Sequence, residues 1–302
     1  MKDFAVVLVT YNAESTVENA INGALHLVPP PTQIILIDDN SQDQTVKLAK
    51  IMLANFENHL LIANEINLGQ SYSRNLGVIN SNCEVIIFMD DDDVSYPNRS
   101  LVHLEKLSDQ YDLSFVSTEK NYGPNYRFFA VNSEISSSIQ SISQLIRHMV
   151  IGSPLPNGGN VYSPSCSLAV KRESFQQIQG FNQDMRRLED IDFVCRALSA
   201  GLSVSWSAEV CVRRFDTLGG DKGAVQNAKG ELKVLRSFRD YLSKREYLVS
   251  HLMTLMRRYY FSKNYPALII LLPISTLLLI LSPSKLSSII LRIIHDARRR
   301  NA

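Results

Sequence analysis

Along the first third of the chain, apolar residues come in short unbroken blocks separated by stretches of helical spacing. Phe4–Val9 (FAVVLV) is continuous and rich in β-branched residues, the pattern of a strand covered on both faces. Val17, Ala20, Ile21, Ala24 and Leu25 then recur at helical spacing. Ser15 and Glu18 stand ahead of them as a capping box, and Pro29, Pro30 and Pro31 stop the helix. Gln33–Ile37 predicts a second strand ending in Asp38 and Asp39, and Ser41 to about Asn55 a second helix. Leu60–Ala63 predicts a short strand, and Gly69 precedes a helix running through Asn80. Glu84–Met89 is a fourth strand, followed by a helix at Asn98–Ser108 and a strand at Leu113–Ser117. Such alternation predicts an α/β fold with a mostly parallel central sheet flanked by helices.

The pattern weakens from about Tyr122 to Ser165, which is rich in Ser, Asn, Gly and Pro, with one helical piece near Ile139–Val150. A segment of that composition is either a linker or a substrate-binding loop region. Regular structure returns at Ser167–Val170 and Arg172–Gln179, and Glu189 opens a helix to about Ser199. The C-terminus differs in kind. Between Lys263 and Lys285 no residue is charged, and at about 1.5 Å rise per residue that stretch would match the thickness of a bilayer's hydrocarbon core. Pro273 and Pro283 argue against a straight span, and basic residues flank the stretch on both sides. An interfacial or re-entrant segment, a true span and a buried or partner-contacting helix all remain open. Three regions are therefore expected: an α/β domain over 1–215, a basic helical extension over 216–263, and a membrane-associating segment over 264–302.

Charge sharpens this division. Residues 1–210 carry 14 Lys and Arg against 24 Asp and Glu, whereas residues 211–302 carry 17 against 6. An acidic body and a basic tail face different partners, and the acidic body makes nucleic acid a poor candidate. The basic tail suits an anionic membrane surface. Cys83, Cys166, Cys195 and Cys211 form no CxxC pair and have no metal-ligand spacing, which suggests free thiols in a reducing cytosol. Phe4–Val9 is far too short for a secretory apolar core.

In an open parallel sheet, ligands bind beyond the carboxyl ends of the strands. Three strands here end in polar groups: Thr10-Tyr11-Asn12, Asp38-Asp39 and Asp90-Asp91-Asp92-Asp93. Four adjacent carboxylates repel one another, and directly after a buried strand a divalent cation such as Mg²⁺ or Mn²⁺ would relieve them while binding a nucleotide's phosphates. The alternative is a solvated acidic turn. Neither GxGxxG nor GxxxxGK[ST] follows the first strand, which weakens dinucleotide and P-loop readings.

Five blocks in order, VVLVTYNAESTVENAINGAL, QIILIDDNSQDQT, NLGQSYSRNLGV, VIIFMDDDDVSYPNR and GFNQDMRRLEDIDFVCRALSAG, resemble the family 2 glycosyltransferases of the GT-A fold, from Phe4 to about Arg214. The resemblance implies an inverting transfer from a nucleotide-sugar, UDP first and dTDP second, to an acceptor hydroxyl. It implies that Thr10, Tyr11 and Asn12 line the nucleotide and that Asp39 accepts a hydrogen bond from the pyrimidine, although a helix-entry cap is the plain alternative. Arg74 lies near the nucleotide, or forms a surface ion pair. Asp90 and Asp92 match the DxD pair, Asp90 nearer the ribose and Asp92 on the metal, with the register open by one residue. Asp190 matches the general base and Glu189 its acidic neighbour, unless the two are simply first-turn helix acids. Members often carry a histidine after the segment matching VCVRRFDTLGG. This chain has none between His148 and His251, so Asp216 is a candidate to take that histidine's place near the metal, or Arg213 and Arg214 to hold the diphosphate instead.

Together with the tail, the resemblance points to a saccharide or lipid-linked saccharide acceptor, envelope or exopolysaccharide synthesis, and the cytoplasmic face of the inner membrane. Competing readings are a haloacid-dehalogenase-type phosphohydrolase using Asp90–Val94, a sugar-1-phosphate nucleotidyltransferase, and a catalytically inactive nucleotide-sugar-binding or scaffold protein. The last differs by its indifference to loss of Asp190.

Overall fold

A computed structural model describes residues 2–107, 110–121, 127–130, 132–137, 141–156, 158–215, 223–267 and 271. It divides into two compact units, 1–220 and 221–302. The first is built on one mixed sheet. Strands β1 (Phe4–Thr10), β2 (Gln33–Asp38), β3 (His59–Ala63) and β4 (Val85–Asp90) pair in parallel in the order β3-β2-β1-β4. All seven residues of β1 are buried, as the unbroken apolar run requires. Helices α1 (Val17–Leu25), α2 (Thr45–Leu53) and α3 (Gln70–Ile79) make the crossovers.

Beyond β4 the sheet departs from the expected mostly parallel order. Strand β9 (Leu168–Lys171) inserts between β4 and β6 (Leu113–Asn121), antiparallel to both. Strand β10 (Val204–Phe215) then pairs parallel to β6 and antiparallel to β5 (Asp93–Ser95). Short strands β7 (Arg127–Ala130) and β8 (Ile135–Ser136) border β6 and β10. Parallel pairing needs a long crossover, so a strand that returns in the opposite sense after the irregular segment makes the sheet mixed. β10 was not foreseen, because Ser, Glu and Arg interrupt its apolar pattern and two irregularities break its register at Trp206–Val212.

Two helix starts also differ from expectation. α1 begins at Val17 after Thr16, with no side-chain cap; the Ser15–Glu18 box does not form, because Thr16 and Val17 donate instead to the Ala13 carbonyl. α2 begins at Thr45 rather than Ser41. Ser41 turns back to donate to Asp38, and the Asp43 carboxylate accepts the Thr45 N–H at 3.0 Å.

Helices α4 (Arg99–Leu107), α5 (Ile142–Ile151), α6 (Arg172–Gln177) and α7 (Glu189–Ser199) complete the unit. Phe88 of β4, Phe175 of α6, Phe181 and Phe193 of α7 form one aromatic cluster, with centroids 4.5–5.8 Å apart. Pairs of this kind contribute about 0.5–1.5 kcal/mol each beyond burial and seat α7 over β4. The second unit contains α8 (Ala224–Ser237) and α9 (Lys244–Phe261). Ser243 and Glu246 cap α9 reciprocally. Among the described residues no helix is long and apolar enough to cross a membrane. Most of the 264–302 apolar segment, and Asp216, lie outside them.

Candidate active site

β1, β2 and β4 are neighbours, so the polar groups at their carboxyl ends meet. Asn12 and Asn40 sit just past β1 and β2 with φ of 50° and 70°, a left-handed conformation that asparagine tolerates and that turns both loops sharply. The loops are then tied together. The Asn12 N–H donates to Ser41 Oγ at 2.8 Å, and the Gln42 N–H donates to Asn12 Oδ1 at 2.8 Å. Thr10 is wholly buried, and its hydroxyl donates to Asp38 at 3.0 Å. Of the Thr10–Asn12 triplet, Tyr11 and Asn12 are therefore the residues open to solvent, with Tyr11 49% exposed. An aromatic ring left that open at a strand end is a free stacking surface.

Asp39 is 3% exposed, and its carboxylate accepts the Leu68 N–H at 2.9 Å, the Gly69 N–H at 2.7 Å and Asn64 Nδ2 at 2.9 Å. It caps the entry to α3 from another strand while lying on the floor of the crevice. Gly69 has φ of 91°, a conformation that side-chain-bearing residues rarely adopt and that lets the α3 entry turn beneath Arg186.

Arg74 joins the two halves of the site. It is 1% exposed and donates to Asp90 at 2.7 Å and to Glu189 at 2.9 Å, while its guanidinium lies 5.4 Å from the Phe181 centroid. Burial lowers its pKa, but the two carboxylates outweigh burial and the net shift is upward, so it stays charged. The surface ion-pair alternative is thereby set aside. Leu188, just before α7, has φ of 63°, a strained conformation for a leucine that brings Glu189 and Asp190 to the helix start. Burial, then the neighbouring Glu189, pushes the Asp190 carboxyl up to about 6, against its Ile191 N–H bond and the fields of Arg74 and Arg187.

The four aspartates differ. Asp90 meets Arg74, and Asp91 accepts the Tyr11 N–H at 2.8 Å. Asp92 is partly exposed, and Asp93 is 4% exposed, 3.7 Å from Arg214 Nε. Burial first, then the adjacent carboxylates, raises Asp91 to about 8; burial raises Asp93 to about 7 against the pull of Arg214. Asp91 and Asp93 are held this far above the usual range by burial and by neighbouring carboxylates, and the all-oxygen donors of the run suit a hard divalent cation. Asp90, Asp93 and the buried Cys166 also bring one potential ligand atom each within 4.8 Å of one another. Burial raises the Cys166 thiol well above its ordinary value, so it contributes no thiolate at neutral pH. Its approach to Asp93 depends on the β9 insertion and had no signal in the sequence.

Arg213 and Arg214, adjacent on β10, part company. Cys166, neutral because its thiol is raised, adds no charge here, and the fields of Asp93, Asp90 and Asp190 raise the Arg214 pKa against burial, so Arg214 belongs to the acidic crevice. Arg213 instead bonds Glu119 and Tyr96, with its guanidinium 5.4 Å from the Tyr96 centroid.

A parallel half-sheet, an acidic run beyond its β4 strand and an acid pair at a helix start thus face one crevice. The chain belongs to glycosyl transferase family 2, whose model matches residues 5–178. It is 25% identical over 213 residues to the O-antigen chain rhamnosyltransferase RfbN of Salmonella typhimurium, covering 69% of this chain and 65% of that protein. It is 24% identical over 196 residues to an uncharacterized glycosyltransferase of Haemophilus influenzae. That match covers 64% of this chain and 61% of the relative's length. The structure of S. aureus TarS 1–349 in complex with UDP-GlcNAc superposes with a TM-score of 0.61 at 16% identity. It covers 86% of this chain and 73% of that one, so the fold is GT-A-like.

Proposed function

We propose that this chain is an inverting glycosyltransferase that moves a sugar from a UDP-sugar, with dTDP-sugars second, to an acceptor hydroxyl. One observation carries the reading: Arg74 bonds the acidic run through Asp90 and the α7 acid pair through Glu189, which puts a donor side and a base side in one crevice. The UDP-GlcNAc complex of TarS supports a uridine nucleotide on the donor side.

Tyr11 offers a face for the nucleobase, while Asp39 holds the crevice floor through its bonds to the α3 entry. Asp92 and Asp90 would hold Mg²⁺ or Mn²⁺, which when bound supplies positive charge to the donor's diphosphate. Asp190 takes the proton from the acceptor hydroxyl as that oxygen bonds the anomeric carbon and the bond to the diphosphate breaks; attack from the side opposite the leaving group inverts the configuration. Arg214 stabilises charge on the departing diphosphate, in place of the histidine often found after this strand. Arg213, engaged with Glu119, has a lesser part.

The acceptor is a saccharide or lipid-linked saccharide of the cell envelope or of an exopolysaccharide, met at the cytoplasmic face of the inner membrane. The O-antigen activity named for RfbN and the net positive charge of residues 211–302 support this. Residues 1–215 would carry the reaction, 216–263 the basic extension and 264–302 the membrane contact. Calorimetry of UDP binding with Mn²⁺ and with chelator, on the wild type and Asp92→Asn, tests the donor side. Metal-dependent binding lost in Asp92→Asn is expected, and silence toward UDP, dTDP and GDP would refute the reading. Cell fractionation with and without residues 264–302 tests the membrane contact; a full chain that stays wholly in the soluble fraction refutes it.

A further inference from the structure

Arg99, at the start of α4, is 0% exposed, and among the described residues no carboxylate pairs with it directly. Desolvating a guanidinium is costly, so an arginine buried among neutral partners calls for a reason. Two of its three side-chain bonds go to atoms that flank the acidic run, and the third fixes it to a histidine one turn along α4. Nη2 donates to the Phe88 carbonyl at 2.7 Å, two residues before Asp90, and Nη1 donates to Ser95 Oγ at 2.8 Å, two residues after Asp93. Nε donates to His103 Nε2 at 3.3 Å. That ring must offer a lone pair to Arg99, so its proton is on Nδ1, which donates to Ser114 Oγ of β6 at 3.0 Å. Burial and Arg99 keep the His103 pKa well below its ordinary value, consistent with the neutral ring.

The other side of the clip is also closed. A Cβ on Gly23 of α1 would meet the Ser95 N at 3.0 Å, so α1 packs directly on the β5 backbone. Burial draws the Arg99 pKa down to about 10, opposed by Cys166 and Cys211 and then by Asp93 and Asp90. Both cysteines are neutral, burial having raised Cys166 far and Cys211 to about 12, so the aspartates supply the opposing charge.

We propose that Arg99 is a positioning residue for the donor site: it clips the two ends of the Asp90–Asp93 turn together and sets a fixed positive charge behind it. The carboxylates then meet the metal and diphosphate in one arrangement. This rests on the donor-site reading above and extends it to a residue that touches neither ligand.

The test is calorimetry of UDP across a Mn²⁺ series on the full chain, with circular dichroism confirming the fold at the working temperature. Arg99→Met is expected to weaken metal-dependent UDP binding by about 10–100-fold, the range for supports behind a metal site, and to raise the half-saturating Mn²⁺ concentration in parallel. Arg99→Lys, which keeps charge but cannot make all three contacts, is expected to fall between the two. A folded Arg99→Met that binds UDP and Mn²⁺ like the wild type overturns the proposal, because a merely architectural arginine would move the melting temperature alone. Should Arg99→Met not fold, Ser95→Ala and His103→Gln each remove one leg of the clip; weaker Mn²⁺ dependence in either supports the proposal and wild-type binding in both overturns it. The wild-type titration separates the two readings. A silent wild type removes the donor site and this inference with it, whereas a binding wild type with unaffected variants removes only the role of Arg99.

Discussion

The halves of the first unit build their parts of the crevice differently. From β1 to β4 the strands are parallel and, apart from the half-exposed edge strand β3, buried, and polar groups stand at their ends because a strand must end in something water can reach. Their contacts are mostly loop to neighbouring loop, as between Asn12 and Ser41. From β6 to β10 the strands run both ways, and the groups that reach the crevice come from a turn before β9, from the start of α7 and from one face of β10. The first half gathers its polar groups by topology alone; the second brings Glu189, Asp190 and Arg214 to the crevice only because distant segments fold back onto it. Arg74 is the charged link between them, from the acidic run to the α7 acid pair.

The strongest test of this division removes the second half's contribution and spares the first. Asp190→Ala should lower turnover by about 10²–10⁴-fold while UDP affinity in a binding titration stays within about two-fold. Lost UDP binding in that variant would mean that the two halves are not separable. Cutting the bond between them comes next. Arg74→Met leaves Asp90 and Glu189 without their shared cation and should destabilise the unit by about 3–5 kcal/mol in urea denaturation. A change below about 1 kcal/mol would show that the bridge is ornamental.

A milder test follows from the Asp190 carboxyl, raised to about 6 by burial and Glu189 and opposed by Ile191, Arg74 and Arg187. A base must be ionised to accept a proton, so kcat/KM should fall about ten-fold between pH 7 and pH 5. The same shift works against stability. The native state holds the Asp190 proton more tightly than the unfolded chain, an advantage present at low pH and lost as pH rises through about 6. Asp190→Asn should therefore gain about 1–3 kcal/mol over the wild type between pH 4 and pH 7, as two denaturation series would show. The smallest contrast lies between adjacent residues. Arg214→Met should weaken UDP binding about ten-fold and Arg213→Met less than about three-fold, since removing one charged contact is worth roughly 1–2 kcal/mol. Equal effects would contradict the separation of their side chains.

The contrast between the halves also explains what was legible in the chain. β1, β2 and β4 were readable because a doubly covered strand is an unbroken apolar run, and their polar ends marked the crevice. α7 was readable to its bounds, since Glu189 opens a strong apolar periodicity. β10 was hidden by its charged and bulged sequence. The part played by Arg99 was hidden for another reason: its partners Phe88, Ser95 and His103 are brought together by a path that no local pattern dictates. The nearness of Cys166 to Asp93 depends likewise on where β9 inserts.

That insertion has a consequence for the order in which the chain acquires its shape during synthesis. β4 is paired only on its β1 side until residues 168–171 leave the ribosome, so for the intervening lengths a nascent chain presents an open strand edge that is apolar from Val85 to Met89. Fragments ending before residue 168 should be sticky rather than stable, while those reaching the end of α6 close that edge. The nucleotide half, self-sufficient in its contacts, still waits for its neighbour before it can stand in water.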